Sequence, residues 1–135
     1  MEAHSGRVNA SVWGQEYNTT TWRLAKMNLA IRRIEANLGE GSGDTLRNDN
    51  FPDLRADFTI VNPPFNIKDW GAESLQDDSR WIYGVPPKGN ANYAWIQHYL
   101  HHLAPQGMAG IVFLRIILIV NKNSNGNVHK DMSFQ

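Results

Sequence analysis

The stretch Phe58-Thr59-Ile60-Val61-Asn62-Pro63-Pro64-Phe65 decides how the rest of the chain is read. An apolar, β-branched run enters two consecutive prolines. Their rings fix φ and remove the N–H, so strand pairing stops and the backbone just beyond is set in advance. The Asn62 side-chain oxygen and the Pro63 carbonyl both accept hydrogen bonds, with no proline N–H to compete. Phe65 supplies a face for stacking. Such a corner suits a flat base that carries an amino group. An aromatic amine is a poor nucleophile because its lone pair is delocalised into the ring. Two acceptors gripping its hydrogens push the nitrogen toward tetrahedral geometry and ease attack on an electrophilic methyl group. A base inside a duplex must first leave the stack, and the phenyl ring is then its landing surface. An Asn-Pro-Pro segment also ends strands as an ordinary turn, and four residues alone leave both readings open.

Upstream, Ser11 to Glu16 reads as a short strand ending in an acid, and Asn18 with the following threonines marks a helix start. From Thr20 to about Leu38, Leu24, Met27, Ile31, Ile34 and Leu38 recur at three- and four-residue spacing, which predicts one helix with its stripe in the core. Gly39-Glu40-Gly41-Ser42-Gly43 resembles a phosphate-cradling loop but follows a helix instead of opening one, and reads as a flexible helix stop. Ala56 to Val61 has the length of a buried central strand.

Downstream, the Trp- and charge-rich segment from Asn66 to Asn90 is too long for a mere connection and is expected to be functional or mobile, with Trp70 and Trp81 as anchors. Lys88 stands beside Pro86 and Pro87, where a phosphate contact or a solvated lysine are both open. A second helix is expected over Asn92 to Leu103, stopped by Pro105, with Ile96, Tyr99, Leu100 and Leu103 inward and His98, His101 and His102 on the polar side. His98 and His102 have ligand spacing, but no third ligand stands at a matching place in the sequence, so no metal is expected. Met108 to Leu114 reads as a strand buried on both faces. The resulting order of strand, helix, strand or turn, strand, long loop, helix and strand is that of an α/β layer fold.

The 135 residues, 41% hydrophobic and 10% aromatic, suffice for one core. Lys plus Arg and Asp plus Glu are equal at 13 each, so no global basic footprint drives nucleic-acid binding and any such contact is local or shared. The absence of cysteine excludes disulfides and thiolate metal sites. Gly110 to Val120 is interrupted by Arg115 and falls short of the about 20 residues of a membrane span, which leads to the expectation of a soluble, cytoplasmic protein with no membrane partner.

Four landmarks in order carry a family resemblance: Gly14-Gln15-Glu16-Tyr17-Asn18, Gly43-Asp44-Thr45-Leu46, Asn62-Pro63-Pro64-Phe65, and Pro86-Pro87-Lys88 with the helix after it. From about Val12 to Leu114 the chain resembles the modification subunit of type I restriction-modification systems, a family of N6-adenine DNA methyltransferases. The resemblance implies a Rossmann-like, mostly parallel α/β fold and S-adenosylmethionine as cofactor. By the same resemblance Glu16 accepts from the cofactor's ribose hydroxyls and Asp44 from its adenine amino group, with Asn62 counted at the cofactor side as well. Asn62, Pro63, Pro64 and Phe65 form the catalytic motif: the first two hold the target N6, and Phe65 stacks on the flipped base. DNA and the specificity and restriction subunits are the implied partners.

Departures from the family pattern shape further expectations. The chain opens just before the family's second strand, and no Asp/Asn-Pro-x-x-Gly-x-Gly segment occurs in it. The first strand and its glycine loop are therefore expected to be missing from a single truncated catalytic domain over 1–135, a fragment that binds cofactor poorly, is inactive alone, and self-associates. The slot of that strand is expected to be closed by direct strand pairing, by a second copy, or by Ile116 to Val120, within a divergent tail over 115–135. The other functional reading is a non-catalytic remnant or scaffold that keeps only DNA or subunit contacts.

Overall fold

Asn18 begins the first helix as the sequence predicts: in the computed structural model its Oδ1 accepts from the N–H groups of Thr20 and Thr21 at 2.9 and 3.0 Å. The structure describes residues 10–113, 116–125 and 127–134. The expected strand end at Leu114 and the start of the divergent tail at Arg115 lie outside them. The chain divides into two compact units, one ending at Asn50 and the other beginning at Phe51.

In the first unit, β1 (Val12–Trp13) and β2 (Ala36–Asn37) pair in parallel, and α1 (Thr19–Ile31) is the crossover between them. The helix ends seven residues before the expected Leu38. Arg33 takes a left-handed φ of 56°, its N–H reaches the Ala30 carbonyl, and the Ile34 N–H reaches the Leu29 carbonyl, each at 3.0 Å. This is a Schellman closure with arginine where glycine is usual, so the composition carried no stop signal. Ile34 and Leu38 consequently leave the helix, and the glycine-rich segment follows β2, not a helix. The predicted core stripe is also corrected: Leu24, Met27 and Ile31 are exposed, and α1 has no buried residue.

The second unit is a four-stranded sheet in the order β3 (Ala56–Val61), β4 (Leu103–Phe113), β5 (Ile116–Lys122), β6 (Val128–Phe134). β3 and β4 are parallel, joined through α2 (Asn92–His101), while β4–β5 and β5–β6 are antiparallel. The sheet is therefore mixed, not mostly parallel, because the last three strands follow one another by short turns that permit only antiparallel pairing. Ile116 to Val120 lies on the far side of β4 and does not close the slot beside β3.

β3 is an edge strand instead of a central one among the described residues, and its Phe58 and Ile60 are 75% and 87% exposed. β4 buries one face, not both: Ala109 and Ile111 are inaccessible, while Met108 and Val112 point outward. The period of two along β4 thus follows the single layer packed on it, where Leu100, Leu103, Ala109, Ile111 and Val120 form the core with Ile96 and Tyr99 of α2 alongside. The register of β3 against β4 shifts between Ala56 and Phe58, opposite the Pro105-Gln106-Gly107 interruption, where Gln106 has a φ of 70°. Gly107 is required there: a Cβ would stand 2.9 Å from the Ala104 carbonyl oxygen and the Leu103 side chain.

α2 stops at His101, and its histidines are not on a solvated face: His98 and His102 are buried. His102 Nδ1 donates to the Leu54 carbonyl at 3.0 Å, and the Ala56 N–H donates to the His102 carbonyl at 2.7 Å, so the helix end fixes where β3 begins. No helix among the described residues is long and apolar enough to cross a membrane.

Arg33→Gly relieves the left-handed Cβ contact at the end of α1 and is expected to raise stability by about 0.5–1 kcal/mol, measured by urea denaturation. A destabilised variant would show that the helix does not close at that residue.

Candidate active site

Pairing of β3 ends at Val61, and the chain turns at Pro63. Asn62 is exposed, Pro63 buried, Pro64 exposed and Phe65 half-buried. The Asn62 side chain makes no hydrogen bond among the described residues, whereas the imide behind it is packed. A polar group is thus presented outward from a corner that its neighbour anchors. Because β3 and β4 run parallel, the start of α2 lies at the same sheet end as this corner, the carboxyl end where α/β proteins place ligands.

The turn beyond Phe65 is tied to α2 by asparagines. Asn66 adopts φ 53°, a left-handed conformation that asparagine tolerates better than most residues. Its N–H donates to Asn92 Oδ1 at 3.1 Å, and its own Oδ1 accepts from Asn90 Nδ2 at 2.9 Å and from Asn92 Nδ2 at 3.3 Å. Asn90 Oδ1 accepts the Asn92 N–H at 2.8 Å, and the Ala91 N–H donates to the Ile67 carbonyl at 2.9 Å.

The long connection between corner and helix is pinned at several points. Trp70 and Trp81 are buried and meet edge to face at 6.0 Å, the anchoring role expected of them. Arg80, 5% exposed, donates from Nε and one terminal nitrogen to the two Asp78 oxygens at 2.8 and 2.7 Å. Its other terminal nitrogen donates to His98 Nδ1 at 3.0 Å. A guanidinium only donates, so this His98 nitrogen is the acceptor and a neutral ring carries its proton on Nε2. Hydrogen bonding to Arg80 holds the Asp78 carboxyl below its usual range against the opposing effect of burial. Gln97 clamps the loop from α2: its Oε1 accepts the Tyr83 N–H at 3.0 Å and its Nε2 donates to the Gly84 carbonyl at 2.7 Å. Burial pushes the Tyr99 phenol well above its ordinary value. Lys88 stands 4.0 Å from Glu73, both side chains exposed.

In the first unit, the Gly43 N–H donates to the Glu16 carbonyl at 2.9 Å, which brings the strand end with Glu16 beside the turn that carries Asp44. Glu16 Oε1 accepts the Asn18 N–H at 2.8 Å, and its Oε2 makes no hydrogen bond among the described residues. Asp44 Oδ1 accepts from the N–H groups of Leu46 and Arg47 at 3.1 and 3.2 Å, a turn-forming role that leaves further acceptor capacity on the carboxylate. Both carboxylates are half-buried acceptors of the kind that hydroxyl and amino donors require.

Sequence reading missed Arg80, Gln97, Asn66 and Asn92. Asp78 and Arg80, two apart, were a visible signal of a local ion pair. Gln97 and the asparagines acquire their roles only from partners 13 to 26 residues away.

Two crossovers, each joining parallel strands through a helix, put the chain in the α/β class. The chain belongs to the N-6 DNA methylase family, whose family model matches residues 1–133. It is 45% identical over 131 residues to the type I restriction enzyme HindI methylase subunit of Haemophilus influenzae, an alignment covering 96% of this chain and 30% of that protein. Against the MjaIX methylase subunit of Methanocaldococcus jannaschii it is 40% identical over 126 residues, 89% of this chain and 22% of the relative. With the EcoKI methylase subunit of Escherichia coli the identity is 31% over 110 residues, 78% and 20% of the two chains. The chain thus spans less than a third of the length of these relatives.

Asp78→Ala leaves the Arg80 guanidinium buried without its carboxylate and is expected to cost about 2–3 kcal/mol at pH 7 by urea denaturation, the low side for a buried pair because 17% of the Asp78 side chain is exposed. The Asp78 carboxyl titrates lower in the folded chain than in the unfolded one. Its stabilisation is therefore present above the ordinary carboxyl range and fades as pH falls through the depressed folded value. The gap between wild type and Asp78→Ala should narrow over that acidic window, and a constant gap would show that the pair does not titrate.

Proposed function

We propose that the chain carries the base-holding part of a type I restriction-modification methylase that transfers a methyl group from S-adenosylmethionine to adenine N6 in DNA. On this reading residues 1–135 belong to one catalytic domain of the Rossmann-like methyltransferase kind. It works in the cytoplasm, on DNA, beside specificity and restriction subunits. The observation that carries the reading is the outward Asn62 amide on a corner anchored by buried Pro63, at the carboxyl end of β3. The relatives' description as type I methylase subunits supports the partners.

Asn62 Oδ1 and the Pro63 carbonyl accept the two hydrogens of N6, and Phe65 stacks on the extruded adenine. Glu16 accepts from the ribose hydroxyls of the cofactor, and Asp44 from its adenine amino group. When bound, S-adenosylmethionine supplies a methyl carbon made electrophilic by its sulfonium. Gripped through its hydrogens by Asn62 and Pro63, N6 would keep its lone pair free to receive that methyl group. N6 then sheds one proton to water. The two oxygen acceptors stabilise the positive charge that develops on the amine hydrogens during transfer, which is why they assist the transition state more than the ground state.

A chimera with residues 1–133 in place of the matching segment of the Haemophilus influenzae subunit tests this. Methyl incorporation into duplex DNA is expected to fall at least about 100-fold for Asn62→Ala, with circular dichroism and cofactor affinity unchanged. Phe65→Ala is expected to weaken DNA binding by roughly 10-fold or more, the value of one stacked base. Near-normal turnover by Asn62→Ala would leave the chain as a scaffold and end this reading. We also propose self-association of the chain through the exposed edge of β3, where Phe58 and Ile60 face solvent. Light scattering that gives the monomer mass at high concentration would refute it.

A further inference from the structure

We infer that Asn66, Asn90 and Asn92 are positioning residues that lock the Asn62–Phe65 corner onto the first turn of α2. The inference rests on the proposed role of that corner and goes beyond it by naming what holds it still.

The two prolines set φ at positions 63 and 64, but nothing in their chemistry sets the path after Phe65. That path is set at Asn66. A left-handed residue directly after an aromatic reverses the chain, and the reversal is stabilised by partners at and just before the start of the helix: the Asn66 N–H on Asn92 Oδ1, and the Asn66 side-chain oxygen under the amides of Asn90 and Asn92. The Ala91 N–H on the Ile67 carbonyl adds a backbone tie one residue further. The Asn90 and Asn92 side-chain amides each serve both as acceptor and as donor, a duality that aspartate or lysine at the same place would not supply. Asn92 is itself held, since its N–H is capped by Asn90 Oδ1.

The helix so engaged is the rigid element of the second unit. Its Leu100 lies in the core with Leu103 and Ile111, and Gln97 and His98 fasten the intervening loop to it. The corner therefore takes its position from α2 through three asparagine side chains, one to thirty residues away from the groups that touch the base. A misplacement of about 1 Å at reacting atoms suffices to cost roughly 100-fold in rate.

The test uses this chain, labelled with 15N and 13C, and three variants: Asn92→Ala, Asn92→Asp and Asn62→Ala. Asn92→Ala is expected to speed hydrogen exchange of the Asn66 amide at least 10-fold and to shift or broaden the Asn62 side-chain and Phe65 ring signals, while Leu103 and Ile111 signals stay in place. Asn92→Asp keeps an oxygen acceptor for the Asn66 N–H and is expected to restore protection to within about 3-fold of wild type, which a general loss of folding would not allow. Titration with deoxyadenosine, read at the Phe65 ring signals, is expected to lose affinity at least 5-fold in Asn92→Ala and recover in Asn92→Asp. Unchanged Asn66 exchange or unmoved Asn62 and Phe65 signals in Asn92→Ala would overturn the inference. Absence of any deoxyadenosine response in wild type, or an equal response in Asn62→Ala, would count against the proposed function alone, because the exchange and rescue measurements judge the asparagine lock separately.

Discussion

Two adjacent residues without N–H groups end β3, and the second unit is organised around the consequence. Pairing with β4 cannot pass Val61, so the chain must leave the sheet at its carboxyl end, and the parallel crossover returns α2 to that same end. The buried imide at Pro63 gives the corner a fixed base, while Asn62 faces outward. The polar cluster of Asn66, Asn90 and Asn92 then couples corner to helix, and the helix in turn packs Leu100 against Leu103 and Ile111. Position is handed down from a hydrophobic core to an exposed amide through steps that each satisfy a backbone or side-chain hydrogen bond.

The long connection between corner and helix shows how a segment poor in regular structure is held. Its stability does not come from apolar burial alone. Arg80 is buried among Asp78, His98 and the Trp81 ring, whose centroid lies 5.0 Å from the guanidinium carbon. A charge withdrawn from water is tolerable only when its donors are met, and here the carboxylate, imidazole and aromatic face meet them. Such a cluster penalises alternative loop paths, since any path that moves Asp78 or His98 strands the guanidinium. Gln97 acts similarly on the backbone at Tyr83 and Gly84.

Much of this was legible beforehand in local chemistry. Asn18 as a cap, Pro63-Pro64 as a strand end, the anchoring by Trp70 and Trp81, and the alternation of two strand–helix–strand passages all rest on short-range rules. What escaped was of two kinds. Arg33 closes α1 in a left-handed conformation that residue type does not advertise, so the helix seemed to run on to Leu38. His98 and His102 looked solvent-facing because periodicity treats polar residues as outward, whereas Nδ1 of each is engaged inside the fold, with Arg80 and with the Leu54 carbonyl respectively.

By itself the amino-acid order settled where α1 begins, where β3 ends and which hydrogen-bonding groups the Asn-Pro-Pro-Phe corner carries, because these follow from dihedral limits and donor inventories of neighbouring residues. Only the tertiary structure decided that β3 is an edge, that the sheet is mixed, that β4 buries a single face, and that three asparagines from distant positions meet. Those outcomes depend on which layers are present to cover a surface and on which groups converge in space, and no local preference encodes either.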